Sequence, residues 1–228
     1  MRIERLSLIS GAKRARGLAV VIDVFRACTT ATWVMANGAK RIIPVDDLEK
    51  AFDLKRFHPD WLLMGEREGR RVEGFDYGNS PFEIRDVDFS GRTVIQTTGA
   101  GTQGVVNATG AEELLLGSFV MAGAIVEHIR RVKPNVVSLV AMGSVGVERS
   151  LEDELCASYI EESLKGAIPD FEGMKRRIRE APSGAKFFDP ARPQFREEDF
   201  YMALELDRFD FIIQVLKNDQ LYAVKEEP

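Results

Sequence analysis

Histidine and cysteine are nearly missing from this chain, with two of each among 228 residues. His58 stands in the loop-like FHPD, and His128 in VEHIRR on what reads as a helix surface. Neither has a second histidine or a cysteine close by in sequence, which argues against a zinc site and against phosphoryl transfer through histidine. Cys28 and Cys156 form no CxxC or Cys/His spacing and imply no disulfide framework, as fits a reducing cytoplasm. Basic residues are outnumbered, 31 against 36 acidic. A net charge of −5 excludes the broadly cationic surface that holds nucleic acid. The basic run KRRIR at 175–179 lies in a helix-like, mixed-charge segment and reads as a solvated face. No apolar run approaches the ~20 residues of a membrane span. The opening MRIERLSLIS carries charges where a secretory signal needs an apolar core.

What is present is alternation. LAVVIDV (18–24), RIIPV (41–45), WLLMGE (61–66), RTVIQTT (92–98), ELLLGS (113–118) and NVVSLVAMGS (135–144) are short apolar runs of the strand kind. Between them lie segments with helical spacing, such as 47–57, 120–132 and 150–166. Strands alternating with helices predict an α/β fold whose sheet is largely parallel or mixed and flanked by helices. FDFIIQVLKNDQLYAVKE predicts a closing β-hairpin with its turn near Asn218-Asp219, and its apolar FDFIIQV suits a homodimer interface as readily as core. Residues 167–195, with four prolines, read as an irregular exposed excursion containing one short helix. Residues 1–228 read as a single domain; two lobes are the alternative, and no boundary is legible.

In α/β folds ligands bind beyond the carboxyl ends of the strands, which nominates four stretches. In IDVFRACTTAT, Asp23 ends a strand and Arg26, Thr29 and Thr30 follow at a helix start. That suits anion binding, or equally a capping aspartate paired with an arginine. GEREGRRVEGFDYGNSP offers Glu66, Asp76 and Asn79 as hard oxygen ligands for magnesium, with Arg67 ready for an anion. So long an irregular segment usually works or is disordered, and FDYGNSPF argues for order. TTGAGTQG (97–104) puts glycines between a strand and a helix, the arrangement of a phosphate cradle. It is no Walker A loop. It also lacks the acidic ribose partner about 20 residues on that a dinucleotide fingerprint needs. In SLEDE, Ser150 and Asp153 have capping-box spacing, and Glu152 and Asp153 point ~100° apart on a helix. DVDFS (86–90) matches a D-x-D-x-[ST] phosphatase signature but sits in a polar connection rather than at a strand end, so it is taken as coincidence.

The elements DVFRACTTA, ANGAKRIIPV, GEREG…EGFDYGNSPFE, TTGAGT, LLLGSFVMA and SLEDELCA, in this order, resemble the 2-phosphosulfolactate phosphatase family of coenzyme M biosynthesis. GFDYGNSPFE is the most specific of them, and LELDRFDFI near the end is also similar. The resemblance implies a fold particular to that family and a magnesium-dependent phosphatase yielding sulfolactate and phosphate. Onto its matching positions we place Asp23, Arg26 and Asp153 as catalytic groups. Thr29, Thr30, Arg67, Asn79, Ser80, Thr97, Thr98, Gly101 and Thr102 would bind substrate, and Glu66, Asp76 and Glu152 the Mg2+. The expected partner is a phosphorylated organic acid. The chain departs from the family where FRACTT replaces L-R-A-T-T-T, TTGAGT replaces T-T-N-G-T, GEREG replaces GERGG, and VERS precedes LED. Two other functions compete: a phosphatase for a different small anion, and a non-catalytic anion-binding protein.

Overall fold

The computed structural model describes residues 1–218 and 220–228. In chain order the elements are β1 (Arg2–Ser7), α1 (Leu8–Ala12), β2 (Gly17–Ile22), α2 (Ala27–Ala36), β3 (Arg41–Pro44), α3 (Leu48–Phe57), β4 (Leu62–Arg67), β5 (Arg70–Arg71) and α4 (Pro81–Ile84). Then come β6 (Thr93–Thr97), α5 (Gly101–Asn107), β7 (Ala111–Gly117), α6 (Ala122–Val132), β8 (Val136–Ala141) and α7 (Leu151–Leu164). The chain closes with α8 (Phe171–Glu180), α9 (Pro182–Ala185), α10 (Glu197–Ala203), β9 (Ile212–Lys217) and β10 (Leu221–Glu226).

The ten strands form one sheet in the order β1-β8-β2-β7-β9-β10-β3-β6-β4-β5. Its plan is two parallel blocks joined by a hairpin. β1, β8, β2 and β7 run parallel, and so do β3, β6 and β4. Between the blocks, β9 pairs antiparallel with β7 and β10 antiparallel with β3. β2, GLAVVI, is buried at every position because neighbours flank it on both edges and helices cover both faces. The helices begin where the sequence supplies caps: Asp47 accepts from the N–H groups of Glu49 (2.8 Å) and Lys50 (3.1 Å) at the start of α3.

Several expectations change. FDFIIQV is sheet interior, with Phe211, Ile212, Ile213 and Val215 in the main core, because the hairpin fills the gap between two parallel blocks. The hairpin is present as expected, although Asp219 of its turn lies outside the described residues. RIERLS forms an edge strand that its charges had concealed. The excursion 167–195 is ordered as α8, α9 and a 3-10 turn at Lys186–Phe188. His128 is buried rather than on a surface, with Nε2 2.5 Å from Glu113 Oε1. Among the described residues no helix is long and apolar enough to cross a membrane, and both cysteines are free and buried.

Candidate active site

A cleft of about 890 Å3 opens where the chain leaves the carboxyl ends of β2, β4, β6 and β8. Within each block the parallel strands end on the same side. Three antiparallel pairings separate the blocks, which therefore run in opposite directions, and the residues after β2 and β8 meet those of β4 and β6 at this cleft. Asp23, Arg26, Glu66, Arg67, Asn79, Thr98 and Glu152 line it, as sequence reasoning expected. So do Gly143 to Val145, which follow β8 at a strand end of the nominated kind, and Ser183, Lys186, Arg192 and Phe195, which sequence reasoning did not nominate.

Asp23 stands just past the end of β2. Its Oδ1 accepts from Ala27 N–H (3.0 Å), starting α2, and the residue lines the cleft. Burial pushes its pKa up to about 7. That value is the net of burial, which is the largest cause, the Ala27 hydrogen bond that lowers it, Glu66 and Glu152 that raise it, and the Lys186 charge that lowers it. Glu152 Oε2 is held by the Ser183 hydroxyl. Its neighbour Asp153 turns away, as the helical angle demands, and cross-links two strand ends. Oδ1 accepts from Val24 N–H (2.8 Å), and Oδ2 accepts from Gly143 N–H (2.8 Å) and the Ser150 hydroxyl (3.2 Å). The capping-box spacing therefore serves tertiary fixation, and the Ser150 side chain caps nothing. Burial, then Glu152 and Asp23, hold Asp153 well above the usual carboxylate range.

The stretch TTGAGTQG does not offer a free cradle. Thr98 N–H donates to Thr102 Oγ1 (2.9 Å) and Thr102 N–H to Thr98 Oγ1 (3.3 Å). Gly99 N–H donates to Glu66 Oε1 (2.9 Å), while Glu66 Oε2 accepts from Gly69 N–H (2.7 Å). The Glu66 carboxylate thus occupies donors that a phosphate would use. The glycines serve close packing instead: a Cβ at Gly101 would lie 2.6 Å from Ala27 Cβ and 2.9 Å from Asp23 Oδ2.

Other nominated residues stand elsewhere. Asp76 is exposed and away from the cleft, its Oδ2 accepting from Leu63 N–H (2.7 Å) with Lys55 Nζ at 3.6 Å. It ties an irregular segment to β4. Thr29 Oγ1 donates to Val24 O (2.8 Å), and Thr30 is wholly buried in α2 with its hydroxyl unpartnered. Thr97, Gly101 and Thr102 form the wall behind the cleft rather than its lining. Ser80 caps α4 and donates to Asp199 Oδ1 (2.7 Å). Asn79 does face the cleft, and its buried Oδ1 has no hydrogen-bond partner.

The cations differ in freedom. Arg26 is 4% exposed and bound to Asp199 Oδ2 (2.6 Å), Gln194 O (3.1 Å) and Gly69 O (3.1 Å), so it is an anchor. Arg149 has Glu154 at 3.7 Å, and Arg192 has Asp189 at 3.5 Å. Arg67 donates to Glu66 O (2.7 Å) and Thr97 Oγ1 (3.0 Å), which orients the guanidinium and leaves further N–H donors for an acid. The Lys186 ammonium has no carboxylate within 4.0 Å among the described residues.

Fold and cleft together define an α/β protein with a carboxylate-lined, cation-flanked site beyond the carboxyl ends of its parallel strands. A family model described as 2-phosphosulpholactate phosphatase matches residues 5–218, and the chain belongs to that family. Similar proteins, each named probable 2-phosphosulfolactate phosphatase, occur in Caldicellulosiruptor saccharolyticus (40% identical over 155 residues, 67% of this chain and 64% of that protein) and Bacillus subtilis (30% over 210 residues, 90% of each). A third, from Thermotoga petrophila, is 42% identical over 147 residues, 64% of this chain and 62% of that protein. The chain thus spans under two thirds of the Caldicellulosiruptor protein in the aligned stretch.

Proposed function

We propose that the chain hydrolyses a small organic phosphate monoester, 2-phosphosulfolactate, to sulfolactate and phosphate, with Mg2+, as a step of coenzyme M biosynthesis. The supporting observation is the placing of Asp23 and Glu152 at one cleft, beside Arg67, which has no carboxylate within 4.0 Å among the described residues. Family membership and the names of the relatives point the same way.

Magnesium takes hard oxygen donors and is commonly held by one or two carboxylates, with water and substrate phosphate completing its shell. Asp23 and Glu152 fit that demand: both line the cleft, and the raised pKa of Asp23 reflects its burial first and then the neighbouring Glu66 and Glu152 carboxylates. Two carboxylates of the protein would then hold the ion, with water and substrate as the remaining ligands. The ion would neutralise phosphate charge as the P–O bond breaks. Arg67, fixed by Glu66 O and Thr97 Oγ1, presents a planar fork to the substrate's carboxylate or sulfonate. Asp153 holds the backbones of Val24 and Gly143 in place, which sets the position of Asp23 and the near rim.

The test is phosphate release from a panel of sulfonated, carboxylated and plain phosphate esters, with and without EDTA. The reading requires magnesium-dependent turnover that favours 2-phosphosulfolactate. Turnover favouring another ester moves the substrate assignment, and binding of the panel without turnover would leave a non-catalytic anion-binding protein.

A further inference from the structure

Lys186 belongs to no motif that the sequence brings forward, yet it is the cleft cation with neither an ion pair nor a hydrogen bond to the protein among the described residues. It follows α9 directly. Ser183, three residues earlier, binds the Glu152 carboxylate, so the turn that carries Lys186 is docked against the carboxylate pair. Its ammonium is flanked by two aromatic rings: Nζ lies 4.7 Å from the Phe195 centroid and 5.5 Å from that of Phe187. Arg26 packs on the same two rings at 5.3 and 5.9 Å, and its bonds to Gln194 O and Asp199 clamp the far end of the segment. A surface lysine is ordinarily free to swing into water; this one is confined beside Glu152 and Asp23 without touching either.

Such a cation supplies charge where an anion must sit close to carboxylates. A lysine is a compact point charge suited to phosphate, whereas an arginine fork suits planar acids. Arg67 sits on the Thr97 side of the cleft and Lys186 on the Glu152 side. We propose that Lys186 binds the non-bridging oxygens of the phosphoryl group, making it a catalytic residue for the hydrolysis proposed above, while Arg67 takes the other acid group. Burial lowers the lysine's pKa, and Glu152, Asp23 and Asp153 oppose that, in keeping with a cation held in a partly dry site by nearby negative charge. This assignment rests on the phosphatase reading for its catalytic meaning, but phosphate binding tests it without turnover.

The experiment is calorimetric titration of the full chain with inorganic phosphate at fixed Mg2+, using wild type, K186M, K186Q, K186R and R67M. Loss of one charge-assisted contact predicts phosphate binding weakened about 10- to 100-fold in K186M and K186Q, with K186R intermediate. Binding of a phosphate-free sulfonated hydroxy acid should weaken in R67M and stay unchanged in K186M. Lys186 is ruled out as the phosphate ligand if both neutral variants, folded by circular dichroism, bind phosphate as wild type does. It is equally ruled out if wild type binds no phosphate. Phosphate binding that needs Lys186, in a protein that cleaves no ester of the panel, would keep the assignment and remove the phosphatase reading.

Discussion

Asp199 Oδ2 lies 2.6 Å from Arg26 Nη1 across 173 residues of sequence, and both side chains are buried. The other oxygen of the same carboxylate accepts from the Ser80 hydroxyl (2.7 Å) and Phe82 N–H (3.0 Å). One carboxylate therefore joins α10 to the start of α4 and to the residue preceding α2. Its effect is to seat the segment bearing Ser183 and Lys186 over the cleft.

Asp199→Ala leaves the Arg26 guanidinium buried without its counter-charge. Breaking such a pair from one side costs about 3–5 kcal/mol, readable as a lower urea midpoint at unchanged m-value. The double variant R26M/D199L removes both charges and should lose less than Asp199→Ala alone.

Asp23 carries a pH signature. Its folded pKa of about 7 exceeds the ordinary 3.8, so the folded state holds the proton more tightly than the unfolded chain. Its stabilisation is full below about pH 4 and is lost as pH rises through about 7. Asp23→Asn cannot ionise and can still accept from Ala27 N–H. Without metal, its melting temperature should rise above that of wild type progressively from pH 5 to pH 8, by a few degrees at the upper end. Mg2+ added at pH 8 should stabilise wild type by mass action and leave Asp23→Asn unmoved.

Two carboxylates of similar sequence promise should part company. Asp76→Ala removes an acceptor from Leu63 N–H and a partner from Lys55. Stability should fall by about 1 kcal/mol, with kcat/KM kept within about 3-fold. Glu152→Gln should lower kcat/KM by about 100-fold or more, as expected for loss of charge that holds a metal. Steady-state kinetics of the two variants side by side would show the contrast.

Gly101→Ala tests the packing role of the glycine stretch. The new methyl would press on Ala27 Cβ and Asp23 Oδ2. Overpacking of this kind costs about 1–3 kcal/mol, and displacement of the Asp23 carboxylate should lower kcat more than tenfold. Full activity with unchanged melting would show that the wall behind Asp23 has room.

Legibility in the sequence followed the range of the forces. Strands such as GLAVVI declared themselves because burial on both faces leaves an unbroken apolar run, and α3 did so through Asp47. Of the residues that the strand-end rule brought forward, Asp23, Glu66, Arg67 and Glu152 line one cleft. Thr29, Thr30, Thr97 and Asp76 do not line it, because the rule picks a region and says nothing of which way a side chain turns. Lys186 and Asp199 escaped because they lie in and after a Pro-rich segment with no periodicity. The argument from irregular length that singled out residues 67–90 applied equally to 167–195.

The sequence by itself determined the α/β class, the alternation of elements, the C-terminal hairpin and the family, all properties of local pattern and residue order. Tertiary structure alone decided that the hairpin bridges two parallel blocks, that Glu66 fills the donors of TTGAGTQG, and that Lys186 reaches the cleft. Each of those depends on contacts between residues tens to more than a hundred positions apart, where direction and distance are set by packing and leave no trace in neighbouring letters.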